Sequence, residues 1–245
     1  MRIAVVGAGA IGSAVAAILA AAGRDVVLVA RGQRLRALRA APQIIYGGGK
    51  AIEVPLRVAA ADDGLPQVDL SICCVKMPDL EQALPAGRAG VILTLQNGVE
   101  AHETAARQVP DAHIAAGRVH GFFEMDGDAV RHVGVPPSIL FGCTNGDRTL
   151  VEQVVGAAFA NTTLPVEAAP DIRRSLWEKF LLAACLGTVA AALDLPAGSV
   201  LSHMDGESLL QRALAEVAAD VRSTRPWAVQ SCGLLRSMAF RTRLS

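Results

Sequence analysis

Residues 5–16 read VVGAGAIGSAVA, with Met-Arg-Ile-Ala before them and an alanine-rich run after. Three readings compete: the phosphate-binding turn of a nucleotide-binding domain, a signal peptide, and an ordinary core helix. A signal peptide accounts for Arg2 and for the apolar residues 3–22 but leaves the glycines unexplained. Gly7, Gly9 and Gly12 keep the G-x-G-x-x-G spacing between a strand-like run, RIAVV, and a helix-like run that stops at Gly23. DVVLVAR then supplies a second buried-strand pattern at the distance a βαβ unit requires. In such a turn the first glycine permits the tight bend, the second lets backbone approach a pyrophosphate, and the third lets the helix pack closely on the strand. Amides at the new helix N-terminus hold the phosphates. The stretch therefore predicts a dinucleotide site whose cofactor-binding residues include Gly7, Ala8, Gly9, Ala10, Ile11 and Gly12.

The end of the second strand selects among dinucleotides. Sites for NAD usually place an Asp or Glu there to accept a hydrogen bond from the ribose 2′-hydroxyl. Here the segment reads VLVARGQRLRAL, with Arg31 in the acid's place. A guanidinium can pair with a 2′-phosphate through two parallel hydrogen bonds, so the expected cofactor is NADP(H), held in part by Arg31. Arg34 and Arg36 read as a solvated helix face.

Composition agrees with a small-molecule partner. The 245 residues carry 23 Lys plus Arg against 23 Asp plus Glu, which gives no electrostatic footprint for nucleic acid or an anionic membrane. The five cysteines are odd in number and lack C-x-x-C spacing, so neither a disulfide framework nor a zinc site is expected. Cys73 and Cys74, inside the apolar run SICCV, read as small buried hydrophobes.

Further along, YGGGK reads as a glycine-rich turn without the Walker spacing, and AIEVPLRVA as a strand. Two buried-strand candidates follow: DLSICCVK, ending at Lys76, and GVILTLQNG, running into Asn97 and Gly98. In a doubly wound sheet the carboxyl ends of strands face the ligand crevice, which directs Lys76, Gln96 and Asn97 towards the cofactor. Residues 112–142 alternate short strand patterns with turn signals, suggesting antiparallel additions to the same sheet. His113, His120 and His132 within them lack metal-site spacing and read as structural or solvated. LPVEAAPDI reads as a linker; from Ile172 the periodicity is helical through Leu193, and again from about Ser199 to Val221.

Four pieces, MRIAVVGAGAIGSAVA, CCVK, LTLQNGVE and IRRSLWEKFLLAACLGTVAAAL, resemble the ketopantoate reductase (2-dehydropantoate 2-reductase) family in order and spacing, over roughly residues 1–220. The resemblance is to a divergent branch. It implies an α/β N-terminal Rossmann-type doubly wound domain for NADPH at residues 1–165. It also implies an all-helical C-terminal substrate and dimerisation domain at residues 170–245, with the substrate between the two. Lys76 and Asn97 would lie near the nicotinamide half of the cofactor, and Lys179 of the W-x-K motif would be the catalytic lysine. Family members that act on ketopantoate carry Asn at the positions of Ala183 and Gly187.

The resemblance thus implies an NADPH-dependent reductase of a small 2-oxo acid, cytoplasmic, with no nucleic-acid or membrane partner and a possible homodimer. LQNG and W-x-K argue against a hydroxyacid dehydrogenase of another branch. The alternative is a non-catalytic NADPH-binding protein or an inactive product of a truncated gene. After Asp220 the residues VRSTRPWAVQSCGLLRSMAFRTRLS contain five arginines and no acid, and the helical apolar pattern is lost. That shift suggests a truncated or frameshifted C-terminal domain with an atypical tail from about residue 221.

Overall fold

Short aliphatic runs form the middle of one large sheet. In the computed structural model, which describes residues 1–47, 50–64, 67–84 and 89–224, β1 (Arg2–Val6) leads into α1 (Ala10–Ala21) and β2 (Asp25–Ala30) into α2 (Gly32–Ala40). A hairpin follows, β3 (Gln43–Gly47) and β4 (Lys50–Val54), and then β5 (Arg57–Ala60). β6 (Val68–Cys73) runs through a 3-10 turn at Met77–Asp79 into α3 (Leu80–Ala83), and β7 (Ala89–Thr94) precedes α4 (Ala101–Gln108). The first unit is completed by β8 (His113–Asp126), β9 (Ala129–Asn145), α5 (Arg148–Phe159) and β10 (Val166–Ala168).

Strands β5-β2-β1-β6-β7-β8 are parallel neighbours in that order. Numbered by appearance along the βα path, this is the doubly wound 3-2-1-4-5-6 order, which reverses between β1 and β6. All of Ile3 to Val6 is buried, as a strand covered on both faces requires. Alternation along β7 shows the two faces: Val91 and Leu93 pack with Leu19 of α1 and Val155 of α5, whereas Ile92 packs with Leu80 of α3 and Ala105 of α4. An antiparallel β9 extends the sheet beyond β8, and the β3–β4 hairpin continues it through β3, parallel to β9.

Four local expectations change. Residues 112–142 hold no series of short strands; they form two long strands, because Gly121, at φ 88°, absorbs a register shift between His120 and Phe122 and the ladder continues past it. AIEVPLRVA is divided at Pro55 and Leu56 into β4 and β5, which lie at opposite edges of the sheet. The segment read as a linker contains β10, which pairs with Ile139 to Phe141 of β9. The second C-terminal helix does not begin near Ser199. Ala197–Ser202 is a 3-10 turn, and α7 (Gly206–Thr224) starts at Gly206, folded back so tightly that a Cβ there would lie 1.7 Å from the Val200 carbonyl oxygen.

The chain divides into two compact units, Met1–Ile172 and a second that begins at Arg173. In the described residues of the second, α6 (Ile172–Leu193) and α7 share a core in which Leu181, Cys185 and Val189, spaced by one helical turn, meet Leu210 and Leu214. The length and apolarity of α6 would suffice to cross a bilayer, and a third of its most apolar window is buried. The α7 helix continues through residue 221 to Thr224; residues 225–245, which hold most of the atypical tail, lie outside the described residues.

The tightest approach in the first unit is at Gly12, where a Cβ would stand 1.9 Å from the Gly7 carbonyl oxygen. Gly12→Ala should therefore lower the unfolding free energy by about 3 kcal/mol, at the upper end of overpacking costs. Gly156→Ala, inside α5 where a Cβ meets nothing within 4 Å, should be neutral or stabilising by about 0.5–1 kcal/mol. Urea unfolding of both variants checks the pair; equal stabilities would contradict the close approach.

Candidate functional site

The hydrogen-bond ladder runs one residue past the strand ends where the strand order reverses. The Gly7 amide donates to the Val29 carbonyl (3.0 Å) and the Cys74 amide to the Val6 carbonyl (2.8 Å). The chains leaving β1, β2 and β6 thus emerge side by side, at the point where open α/β sheets form their ligand crevice. A cleft of about 430 Å³ opens there, and Gly7, Ala8, Gly9, Arg31 and Lys76 are among its lining residues.

The three glycines differ in what surrounds them. Gly7 has φ 106°, and a Cβ on it would lie 2.7 Å from the Val75 amide nitrogen. Gly12 is pressed against Gly7 as described. Gly9, by contrast, has φ −73°, which any residue adopts, and an added Cβ would meet no atom within 4 Å. The protein itself does not require glycine at this position. The open space in front of it fits a ligand that approaches the backbone, and a dinucleotide pyrophosphate suits it. Ala10, Ile11 and Gly12 form the first turn of α1, whose leading amides have no intrahelical acceptor and which carries no acidic residue.

Arg34 overturns its reading as part of a solvated face. Its side chain is only 18% exposed. Its Nε donates to the Ala8 carbonyl (3.2 Å), Nη2 to Ser13 Oγ (3.2 Å) and to Gln43 Oε1, and Nη1 to both the Asp128 carbonyl (3.0 Å) and Oδ1 (3.1 Å). The guanidinium therefore ties the glycine turn to α1, β3 and the β8–β9 turn. No sequence pattern marks it, because its acceptors lie on separate segments, from Ala8 to Asp128. Arg36 is exposed.

Arg31, the residue preceding α2, is 71% exposed, and its Nη2 lies 2.9 Å from Asp79 Oδ2. Asp79 lines the same cleft. Sequence reading passed over it, although an acid three residues after Lys76 was a usable signal. Gln96 is buried and is not among the cleft-lining residues; its Nε2 donates to the Cys73 and Val75 carbonyls, both at 3.0 Å, and braces the chain that leaves β6. Asn97 is exposed beyond the end of β7 and is not among the cleft residues. Burial pushes the Cys73 thiol up to about 12, and pushes the Cys74 thiol up as well, so both stay protonated and serve as packing. Cys74 Cβ would lie 3.0 Å from a Cβ on Gly12. Among the histidines, His113 Nδ1 accepts from the Asp147 amide (3.0 Å).

Lys179 belongs to the second unit, on α6, where it is partly buried. Its neighbours are fixed: Glu178 pairs with Arg174 at 3.0 Å, and Phe180 meets Trp177 edge-on with ring centroids 5.7 Å apart. Ala183 and Gly187 follow at intervals of four, on the same side of the helix, and both are exposed.

Residues 3–146 match the family Ketopantoate reductase PanE/ApbA, and residues 171–225 match Ketopantoate reductase PanE/ApbA C terminal. The 2-dehydropantoate 2-reductase of Halobacterium salinarum is 28% identical over 223 residues, covering 88% of this chain and 73% of that protein. That of Archaeoglobus fulgidus is 29% identical over 211 residues, covering 82% and 67%. A crystal structure of a PanE/ApbA family ketopantoate reductase from Ralstonia eutropha superposes with a TM-score of 0.78 at 28% identity, covering 91% of this chain and 75% of that one. With a doubly wound unit followed by a helical one and both segments matched in order, the chain belongs to the ketopantoate reductase family of oxidoreductases.

Proposed function

We propose that the chain reduces a 2-oxo acid, such as 2-dehydropantoate, to the 2-hydroxy acid with NADPH, as in pantothenate biosynthesis. The observation that carries this reading is the open space in front of Gly9 at the strand-order reversal, flanked by the cations Arg31 and Lys76. Gly7 to Gly12 hold the pyrophosphate on backbone amides, and Arg31 pairs with the 2′-phosphate. Lys76 and Asn97 organise the nicotinamide end. When bound, the reduced nicotinamide supplies a hydride to the ketone carbon. Lys179 stabilises the negative charge that develops on the ketone oxygen and gives it a proton, which completes the hydroxyl.

The same reading assigns residues 1–165 to the nucleotide and residues 170–245 to the substrate and a homodimer contact, in the cytoplasm. Ala183 and Gly187 offer no side-chain hydrogen bonds. 2-Oxo acids with fewer polar groups than 2-dehydropantoate therefore belong among the substrates assayed.

Three variants test the assignment. Gly9→Val should stay folded, since a Cβ there meets nothing within 4 Å, yet lose NADPH binding; circular dichroism and a fluorescence titration read the two separately. NADPH should bind more tightly than NADH, and Arg31→Ala should narrow that preference by about tenfold, the loss expected for one charge-assisted hydrogen bond; equal affinities in the unmutated chain would sink the NADPH assignment. Lys179→Ala should lower kcat by about 10²-fold or more with little change in NADPH affinity. Full turnover of every 2-oxo acid by that variant would remove Lys179 from the mechanism.

A further inference from the structure

The ion pair at the mouth of the cleft bears on which dinucleotide is preferred. Arg31 stands immediately after β2, where this fold reads the adenosine ribose. Its Nη2 lies 2.9 Å from Asp79 Oδ2, and both residues line the cleft that contains Gly7 and Gly9. Asp79 is held at the end of the 3-10 turn after β6 by a hydrogen bond from its amide to the Lys76 carbonyl (3.0 Å). The side chain of Asp79 is 39% exposed. It is therefore accessible to a ligand, and the pair holds its place without being sealed in the core.

We propose that Asp79 is a specificity-determining residue that opposes Arg31 and holds down the preference for a 2′-phosphorylated dinucleotide. The proposal rests on the reading of Arg31 as the ribose-end residue. A 2′-phosphate carries close to two negative charges near neutral pH and needs the Arg31 guanidinium. It finds that guanidinium already paired, with a carboxylate within one hydrogen-bond length of it. Phosphate binding must therefore displace Asp79 or accept its repulsion. A 2′-hydroxyl meets no such conflict: it is neutral, and it can donate a hydrogen bond to the same carboxylate. The Arg31–Asp79 pair thus presents a donor to one ligand and an acceptor to the other. Asp79 sets how far the balance tips towards the phosphate.

Removing the negative charge tests this. Asp79→Asn keeps the size and the exposed position while freeing Arg31. In fluorescence titrations of the full chain, it should tighten NADPH by about 5- to 10-fold, the scale expected when a partly exposed like charge is removed. NADH should be unchanged or weakened, because an amide is a poorer acceptor for the hydroxyl than a carboxylate. Asp79→Ala should shift NADPH in the same direction, which separates loss of charge from any contact made by the asparagine. Raising the ionic strength should shrink the effect of either substitution. If both cofactors respond equally to Asp79→Asn, or neither responds, while Arg31→Ala still weakens NADPH selectively, the role of Asp79 is overturned and that of Arg31 stands. If Arg31→Ala leaves NADPH and NADH equally affected, the ribose-end reading fails and the role of Asp79 falls with it.

Discussion

Gly12 rests on the carbonyl of Gly7 with no space between them for a methyl group, and most of what the first unit does is arranged around that contact. It seats the start of α1 directly on the turn leaving β1. The leading amides of the helix are thereby aimed over the strand ends and not past them. Because β1 lies where the strand order reverses, the turn also has room in front of it: β2 and β6 lie to either side, and among the described residues a Cβ on Gly9 would meet nothing within 4 Å. Close packing behind the turn and open space before it are two sides of one arrangement. Cys74 and Val75, leaving β6, supply part of the packing, and Gln96 fixes the Cys73 and Val75 carbonyls behind them.

Three positions separate Arg31 from Arg34, yet the two guanidiniums do different work. Arg34 gives its donors to five acceptors of the protein and is largely enclosed. A partly buried cation on that footing is held by geometry, since each acceptor lies near the reach of a rigid planar fork. Arg31 has one ionic partner at the surface and a side chain mostly in water. An arginine in this state can exchange partners at low cost, which is what a ligand-facing charge requires. Burial, and not residue type, separates the structural arginine from the one available to a ligand.

The parallel part of the sheet is legible in the sequence because buried strands such as RIAVV and DVVLVA have to be apolar on both faces. The glycine turn is legible because its spacing reflects steric conditions that only glycine meets at Gly7 and Gly12. The antiparallel extension is harder to read. Gly121 and Pro55 are the same kinds of residue that close turns, and whether a ladder runs past them or breaks depends on partners far along the chain. The linker-like Val166–Ala168 becomes a strand for the same reason, since its partner in β9 exists only once the sheet is built. Arg34 belongs with these cases: the residues that bury it come from Ala8 to Asp128.

That spread of partners has a bearing on biosynthesis. The turn is made well before Asp128, between β8 and β9, with which Arg34 completes its set of acceptors. β8 must itself pair with β7 before that turn is in position. A nascent chain shorter than this holds the glycine motif without its full support. A ligand that needs the fully braced turn can therefore act on folding only once Asp128 has been made and β8 has paired with β7.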